Sequence, residues 1–382
     1  MRGCDSTGEL KDWFVRRGWW LWAQCSGIGA VRLSQLQQLA TASDVDLEVL
    51  WDWPLDRLRS SLGWPEGLLR AVDRHRRRCA AAKRLVMPDQ VLLPMDDVWP
   101  EGFRRLDRPP LMTFWQGDRD LLACLSAGQA VAVVGSRRAS PHGMRAAEQL
   151  GQALARAGWP VVSGLAEGID ASVHRGCLAG GGHPVAVLGT PLTRAYPPEH
   201  QTLQSQVAQA GLLLSELPPG ARVQRASFAL RNRLLVALAQ HVVVVECPDN
   251  SGALLSAEAA RRQGRSLWVM PADALRASAR GSNRLLREGA RVLLDPWEWV
   301  RALGEGPLSC GGLEPSLLQG AAKTESLQQR DPALYGLLND GASLPQLARE
   351  LERSSTTLAQ QLVQLELEGV LVAEPGMRWR LA

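Results

Sequence analysis

Closely spaced cysteines and long apolar runs are both missing from this 382-residue sequence. Its seven cysteines are scattered between Cys4 and Cys310 without a Cys-x-x-Cys pair, and their number is odd. This usage excludes a zinc ribbon or a disulfide framework and is typical of a reduced, cytoplasmic protein. The apolar runs fall short of the ~18 residues that a membrane-spanning helix needs, so we expect a soluble protein without a membrane partner.

Signature motifs of common enzyme classes are missing as well. The sequence has no Gly-x-x-x-x-Gly-Lys-Ser/Thr phosphate loop, no His-Glu-x-x-His zinc motif and no Gly-x-Ser-x-Gly nucleophile elbow. Nor does it contain histidines and cysteines at metal-ligand spacing. We therefore expect no metal, no cofactor and no catalytic residue.

Charge and composition describe a globular protein of several domains. The 43 Lys and Arg residues nearly balance 39 Asp and Glu residues, so the net charge of +4 does not by itself indicate a nucleic-acid partner. Hydrophobic residues make up 46% of the chain, which favours a folded core. Shifts in composition predict a helical domain over residues 1–85, an α/β domain over 86–300, a linker over 301–328 and a winged-helix domain over 329–382.

The middle of the chain alternates short β-branched runs with helical segments. The runs are VAVVGS (131–136), WPVVSG (159–164), PVAVLG (184–189), GLLLSE (211–216), HVVVVE (241–246), SLWVMP (266–271) and RVLL (291–294). Continuously apolar strands separated by helices are typical of a parallel sheet that is covered on both faces. The pattern predicts an α/β fold of the Rossmann type.

The flanking domains are predicted from helical patterns. In the first, the turn Gly27-Ile28-Gly29 precedes apolar residues at helical spacing. Such a turn either presents backbone N–H groups to a DNA phosphate or is only a tight interhelical turn, and we favour the second interpretation. In the last, SLPQLARELE and TTLAQQLVQLELEGV predict two helices, and LVAEPGMRWRLA predicts a wing with Pro375 and Gly376 at its tip.

Glycine, serine and arginine are concentrated directly after the predicted strands. Ligands of an open parallel sheet bind beyond the carboxyl ends of its strands, where glycines expose backbone N–H groups and helix N-termini add partial positive charge. This edge therefore predicts an anion site. The residues that follow the strands in this way include Gly135, Ser136, Arg137, Ser163, Gly164, Gly168, Asp170, His174, Arg194, Arg231, Arg233, Ser251, Gly252 and Asn283.

The first of these loops is unlike a dinucleotide-binding turn. Arg137 and Arg138 stand where such a turn has bare backbone. The second strand ends in Ser163-Gly164, without the acidic residue that would hold a ribose hydroxyl, so NAD is not expected. We predict that Arg137 contacts the ligand and that Arg138 faces solvent or a carboxylate.

Two further arginines, Arg231 and Arg233, fall near the start of a predicted helix. Cations at that position oppose the helix dipole, which favours a negatively charged ligand beside them. Ion pairs with Glu216 or Glu246 are the alternative, because ion-pair networks also gather in clefts.

Six motifs together resemble the DNA-processing protein A family, also called DprA or Smf. In chain order they are VAVVGSRRAS, SGLAEGIDASVH, AYPPEHQTL, FALRNRLLVAL, SGALLSAEAA and GSNRLLREGA, and WPEGFRRLDRPPLMTFWQGDRDLL resembles the segment before that family's Rossmann core. The resemblance implies a non-catalytic, single-stranded DNA-binding protein that protects incoming DNA and helps load RecA during natural transformation. It also implies a homodimer formed through the Rossmann domain.

The resemblance maps three family motifs and one later pair onto this sequence, and the first of these is the family's DNA-contacting motif. The glycine–serine–arginine motif maps onto Gly135, Ser136 and Arg137. The SG-x-A-x-GID-x-x-x-H motif maps onto Ser163, Gly164, Ala166, Gly168, Ile169, Asp170 and His174. The RNR motif maps onto Arg231, Asn232 and Arg233, and the late Gly-x-Asn onto Gly281 and Asn283.

The sequence departs from the family pattern at several loop positions. Glu167 stands where many members have arginine, and Pro191 replaces a glycine. Glu199 and His200 stand where basic residues are common, which leaves Arg194 as the basic contact of that loop.

Two other functions remain as alternatives. A nucleotide-processing enzyme of the phosphoribohydrolase type is one, although its PGGxGT loop has no match here. Asp170 and His174, four residues apart on one helix face, either form an acid–base pair or make a helix-stabilising contact that positions the glycine loop, and we favour the second interpretation. A transcription regulator is the other, but the predicted winged helix is not basic, which favours a protein partner for it.

Overall fold

The computed structural model describes residues 6–81, 87–309, 331–339, 341–367, 371–374 and 378–381. Two compact units contain them, Met1–Ser309 and Cys310–Ala382. Within the described residues, no helix combines the length and the apolar character that crossing a bilayer requires.

The first unit begins with a helical part, as the sequence predicts. Its helices are α1 (Ser6–Ala23), α2 (Ala30–Ala42), α3 (Leu47–Trp51), α4 (Leu55–Leu62) and α5 (Glu66–Ala81). Tryptophan dominates the core between them: the Trp22 ring meets Trp51 and Trp64 edge to face, with centroids 5.1 and 6.2 Å apart. Such aromatic pairs add to the free energy gained by burying their area.

A nine-stranded sheet forms the centre of the first unit. Its strands are β1 (Val91–Leu92), β2 (Thr113–Gly117), β3 (Val131–Val134), β4 (Val161–Ser163), β5 (Pro184–Leu188), β6 (Leu212–Ser215), β7 (His241–Val244), β8 (Ser266–Val269) and β9 (Arg291–Val292). Their order is β1-β2-β6-β5-β4-β3-β7-β8-β9. All seven strands from β3 to β9 are parallel, which confirms the prediction, and β1 and β2 extend the sheet in antiparallel register.

Helices cover both faces of the sheet. They are α6 (Glu101–Arg104), α7 (Leu121–Ser126), α8 (Pro141–Arg156), α9 (Ile169–Ala179), α10 (Gln201–Ala210), α11 (Arg225–Ala237), α12 (Gly252–Arg262), α13 (Arg280–Arg287) and α14 (Pro296–Leu303), with 3₁₀ turns at Pro198–His200 and Ala277–Ala279. Alternate side chains of β3 point to opposite faces of the sheet. Val131 and Val133 pack with α8 and α9 on one face, and Ala132 and Val134 pack with α11 and α12 on the other. Because both faces of these strands are buried, their sequences are continuous apolar runs.

Strand β3 lies at the point where the order of the sheet reverses. It pairs with β4 on one side and with β7 on the other. The connections from these strands run in opposite directions, so a crevice opens beyond the carboxyl end of β3. The loop that carries Arg137 follows β3 directly.

The described residues of the second unit form three helices and a small sheet. The helices are α15 (Pro332–Asn339), α16 (Leu344–Glu350) and α17 (Ser355–Leu367), and the strands β10 (Ala342–Ser343), β11 (Leu371–Glu374) and β12 (Arg378–Leu381) are ordered β10-β12-β11. Leu334, Leu347, Leu358 and Trp379 are among its buried residues. The two helices expected from the sequence are present, whereas the winged-helix assignment stays a prediction because the proposed tip lies outside the described residues. Most of the predicted linker, from residue 310 onward, also lies outside them.

Candidate functional site

The backbone of the loop after β3 is anchored to the segment that follows β7, the strand beside β3 in the sheet. The Ser136 N–H donates to the carbonyl oxygen of Glu246, 2.7 Å away, and the Ser136 side chain is buried. A Cβ at Gly135 would lie 2.4 Å from an Ile169 side-chain carbon, so only glycine fits there. The loop therefore has a fixed position at the carboxyl end of the central strand.

Arg137 and Arg138 extend from this fixed loop into solvent. The Arg137 guanidinium carbon lies 5.5 Å from the centre of the Phe228 ring on α11. In the part of the chain that the structure describes, neither arginine forms an ion pair. Both side chains are exposed, and Arg137 is held over an aromatic face by a cation–π contact.

Phe228 lies on α11, which follows β6, and contacts residues of the loops after β3 and β5. Its ring lies against Gly189 after β5, where a Cβ would be 2.6 Å from a ring carbon. Its centroid is 4.7 Å from that of Tyr196, which belongs to the same loop and is 43% exposed. Arg194 is exposed on this loop too, and its carbonyl oxygen accepts a 2.7 Å hydrogen bond from Thr190 Oγ1. Arginine and aromatic side chains thus share one surface.

The glycines of the β4 loop pack against protein. A Cβ on Gly164 would lie 2.2 Å from Arg231 Nη1, and one on Gly168 would lie 2.3 Å from the Ser136 carbonyl oxygen. Gly168 also has a φ of 72°, a left-handed conformation that glycine adopts without strain. Ser163 Oγ donates to the Val133 carbonyl oxygen at 2.7 Å. These residues lock the β3 and β4 loops together.

Arg231 is almost wholly enclosed beneath the β4 loop. Its side chain is buried, and its guanidinium donates to the Val187 carbonyl oxygen and to Asn232 Oδ1. Burial lowers the pKa of Arg231, and the nearby Asp170 carboxylate opposes that shift. Burial likewise raises the pKa of Asp170, while Arg231 and the Ala166 N–H stabilise its charged form. The structure places Arg231 as an internal cation rather than at the surface.

Arg231 and Arg233 do not lie at the start of their helix, so that expectation is wrong. Helix α11 begins at Arg225 and is capped by Gln224, which places both residues in its second and third turns. The first-turn cation is Arg225, which is exposed, and Arg222 in the preceding loop is exposed too. Both lie in the connection between β6 and α11, several residues beyond the end of the strand at Ser215, so extending the search along that connection would have found them.

Arg233 forms the ion pair that the sequence left as an alternative. Its Nη2 lies 2.8 Å from both carboxylate oxygens of Glu216. Glu246 is not a partner of either arginine; it accepts hydrogen bonds from the Ser140 N–H and Oγ at 3.0 and 2.6 Å. Burial raises the pKa of Glu246, but hydrogen bonds from Ser140 and Ser278 outweigh that effect and lower it.

His174 is fully buried, and neither interpretation of the Asp170–His174 pair matches its contacts. Its two ring nitrogens have no hydrogen-bond partner among the described residues. Burial, together with the positive charges of Arg231 and His200, lowers the pKa of His174 to about 3. Asp170 Oδ2 instead accepts from the Ala166 N–H at 3.4 Å, which positions the glycine loop without the histidine.

The remaining predicted residues lie on the helices beside the loops after β7 and β8: Ser251 and Gly252 at the start of α12, Asn283 in α13 and Asn232 in α11. Ser251 caps α12 by accepting from the Ala253 N–H at 3.2 Å, and Gly252 has open space around its Cβ position. Asn232 Nδ2 donates to the Gly252 carbonyl oxygen at 3.3 Å. Asn283 exchanges two hydrogen bonds with the backbone of Ala272, at 3.2 and 3.0 Å. These asparagines therefore brace the loops.

Comparison with known proteins assigns the chain to a family. Residues 90–304 match the family model described as DNA recombination-mediator protein A. The chain belongs to this family. The matched residues contain the whole nine-stranded sheet and every residue predicted for the strand-end site.

Relatives in this family cover most of the chain. The protein Smf of Synechocystis sp. is 30% identical over 392 residues, which span 95% of this chain and 98% of that protein. The DNA processing protein DprA of Streptococcus pneumoniae is 35% identical over 199 residues, or 52% of this chain and 69% of that protein. These matches confirm the resemblance to the DprA/Smf family.

Two solved structures of DNA processing protein A share the fold. The X-ray structure from Streptococcus pneumoniae has a TM-score of 0.64 at 27% identity and covers 76% of this chain and 98% of that one. The Helicobacter pylori protein, described by its unique single-stranded DNA binding mode, has a TM-score of 0.50 at 30% identity over 56% of this chain and 95% of that one. The predicted α/β fold is confirmed.

Proposed function

We propose that the chain binds single-stranded DNA along the carboxyl edge of its sheet and acts in DNA uptake and recombination. The observation that carries this proposal is Arg137, an exposed arginine without an ion pair among the described residues, held at the sheet's reversal point. Support comes from its family membership and from the Helicobacter pylori relative, whose described property is single-stranded DNA binding.

The strand-end surface consists of Arg137, Arg194, Arg222 and Arg225 with the aromatic pair Tyr196 and Phe228. Its arginines bind phosphates, because guanidinium forks match phosphate oxygens. Its aromatic rings stack on bases, a contact that every base can make. Binding is therefore directed at the backbone and the ring faces, with weak sequence preference. Arg231, Asp170 and the glycines of the β4 loop lie beneath this surface and hold the β3 and β4 loops in position.

A salt-dependent titration tests this function. Fluorescence anisotropy of labelled single-stranded and double-stranded oligonucleotides is followed across a range of salt concentrations. We expect preference for the single strand and a log–log slope of about 0.7 for each phosphate neutralised. Equal affinity for both forms, or a flat salt response, contradicts the proposal.

We further propose that binding is non-catalytic and that the bound strand is protected and passed to RecA. The family description as a recombination mediator supports this role. The contacts of Asp170 and His174 support a non-catalytic site, since the two side chains do not hydrogen-bond to each other. The chain should accelerate RecA filament formation on single-stranded DNA; an unchanged rate contradicts this step.

We also propose a cytoplasmic homodimer that pairs through the Rossmann-like sheet. Strand β9 forms one edge of that sheet, and Val292 in this strand and Leu294 just beyond it are 50% and 80% exposed. Apolar side chains on an edge strand favour association with another chain. Pairing of two sheets extends the path available to one DNA strand.

The domain plan remains part of the proposal. The boundary between the two compact units at residues 309 and 310 falls inside the linker predicted over 301–328 and so supports a separate C-terminal domain. We propose that this domain is a winged helix that binds a protein, because acidic residues offset the arginines of its helices.

A further inference from the structure

A second group of arginines lies away from the strand ends, between the segment after α6, the middle of α11 and the end of α12. They line a pocket of about 620 Å³. This arginine pocket is lined by Arg105, Arg108, Arg233, Arg262 and Arg265. Asp107 is the single carboxylate residue among the pocket's lining residues, so cations predominate there.

Two of these arginines are held in place by the fold. Arg265 Nη2 donates to the Ala237 carbonyl oxygen at 3.0 Å. A Cβ at Gly102 would lie 2.0 Å from that oxygen and 3.0 Å from the guanidinium nitrogen, so the bare backbone at 102 permits this arrangement. Arg233 is fixed by its ion pair with Glu216, and 20% of its side chain is exposed.

The hydrogen-bonding capacity of these two guanidinium groups is only partly used. Within the described part of the chain, Nε and Nη1 of Arg233 and Nε of Arg265 are buried without a partner. Burial lowers the pKa of Arg265, and the nearby Arg105 charge lowers it further. The positively charged guanidinium groups of Arg105 and Arg265 therefore lie close together in a partly buried pocket. A bound anion would stabilise this arrangement.

The other three arginines are free to close on a ligand. Arg105 and Arg262 are 75% and 65% exposed, and among the described residues each pairs only with a glutamate one helical turn earlier, at N···O distances of 3.2 and 3.6 Å. Exposed pairs of this kind contribute little to stability. Arg108 is exposed and forms no ion pair with any described residue. A phosphate competes readily for such side chains.

We propose that the arginine pocket binds a phosphate group, as an anion site additional to the strand-end surface. Several guanidinium forks converge there, and they bind phosphate through paired N–H···O bonds. Its volume falls in the range of small-ligand sites, whereas its lining includes no aromatic ring on which a base would stack. The ligand is recognised by its phosphate, carried either by a DNA strand or by a small phosphorylated molecule.

Pyrophosphate is the probe for the first test. Its binding is measured by isothermal titration calorimetry with the full chain, with an Arg105→Ser/Arg262→Ser double variant and with an Arg119→Ser control, which removes an exposed arginine outside the pocket. We expect the double variant to bind at least about tenfold more weakly, as loss of charge-assisted hydrogen bonds implies. The control should bind as the unmodified chain does.

The second test uses the oligonucleotide titration with the same three proteins. If a DNA strand supplies the phosphate, the salt slope of the double variant falls by about 1.4, or 0.7 for each lost contact. If a small molecule supplies it, pyrophosphate binding is lost and the slope is unchanged. The proposal is overturned when the double variant matches the unmodified chain in both tests. An Arg137→Ser variant separates this result from the proposed function, because it should lose DNA affinity and retain the pyrophosphate binding that depends on the pocket.

Discussion

The guanidinium carbon of Arg137 lies 5.5 Å from the centre of the Phe228 ring, at the carboxyl end of the central strand β3. The pair brings together a cation from the β3 loop and an aromatic ring from α11, two segments that are distant in the sequence. In the proposed function, the first would contact a phosphate of the nucleic-acid strand and the second a base. The contact therefore defines the centre of the strand-end surface.

Arg137 should contribute strongly to DNA affinity. Replacing it by alanine removes an exposed cation that has no ion pair among the described residues, so we expect binding to single strands to weaken by about tenfold or more. The salt slope should decrease by about 0.7, because one phosphate contact is lost. Anisotropy titration measures both, with Arg119→Ala as the matched control. Unchanged affinity would remove this loop from the site.

Phe228 should contribute through stacking. Alanine at this position is expected to cost about 1–3 kcal/mol of binding free energy for the base that stacks there. Because no charge changes, the salt slope should stay the same while the affinity falls. A Phe228→Trp variant preserves the ring and should restore binding. If both variants bind equally weakly, the ring has only a packing role.

Gly164 should be intolerant of a side chain. The Cβ of alanine would lie 2.2 Å from Arg231 Nη1, which is itself fixed in the interior. Overpacking of this kind costs about 1–3 kcal/mol, measured as a loss in the free energy of unfolding by denaturant titration. Gly252→Ala is the control, since that position has open space and begins α12. Equal stability of the two variants would contradict the proposed packing role of Gly164.

His174 should make stability depend on pH. The pKa of this residue is about 3 in the folded chain and near 6.5 in the unfolded chain, so the unfolded state binds the extra proton between these values. Stability is thus complete above pH 6.5 and falls as pH decreases towards 3, by up to about 1.4 kcal/mol per pH unit. A His174→Leu variant should lose this part of the slope in urea unfolding at pH 7 and pH 5. An unaltered slope would show that the histidine does not titrate in this way.

Leu294 should determine the oligomeric state. A charged residue at this 80% exposed position beside β9 is expected to convert the proposed dimer to a monomer, because a buried, unpaired carboxylate is costly. Sedimentation velocity compares Leu294→Glu with Leu255→Glu, a control that carries the same change on α12. A Leu294→Glu chain that remains dimeric would exclude this edge from the interface.

The strands and the faces of the sheet could be predicted from the sequence. Runs such as VAVV and HVVVV identify buried parallel strands because burial on both faces is a local property of each segment. The exposed position of Arg137 was predictable for the same reason, since the residues after a buried strand emerge at the sheet edge. Arg222 and Arg225 lie farther along the connection after β6, so this rule does not single them out.

The sequence by itself determined the type and number of the parallel strands and the loops at their carboxyl ends. Only the tertiary structure decided that Arg231 is enclosed under Gly164, that Arg233 pairs with Glu216, and that Phe228 meets Arg137. Periodicity and turn chemistry act over a few neighbouring residues, whereas burial and ion pairing depend on which distant segments the strand order brings together. The strand order β6-β5-β4-β3-β7 is therefore what separates the internal arginines from the ones that face solvent.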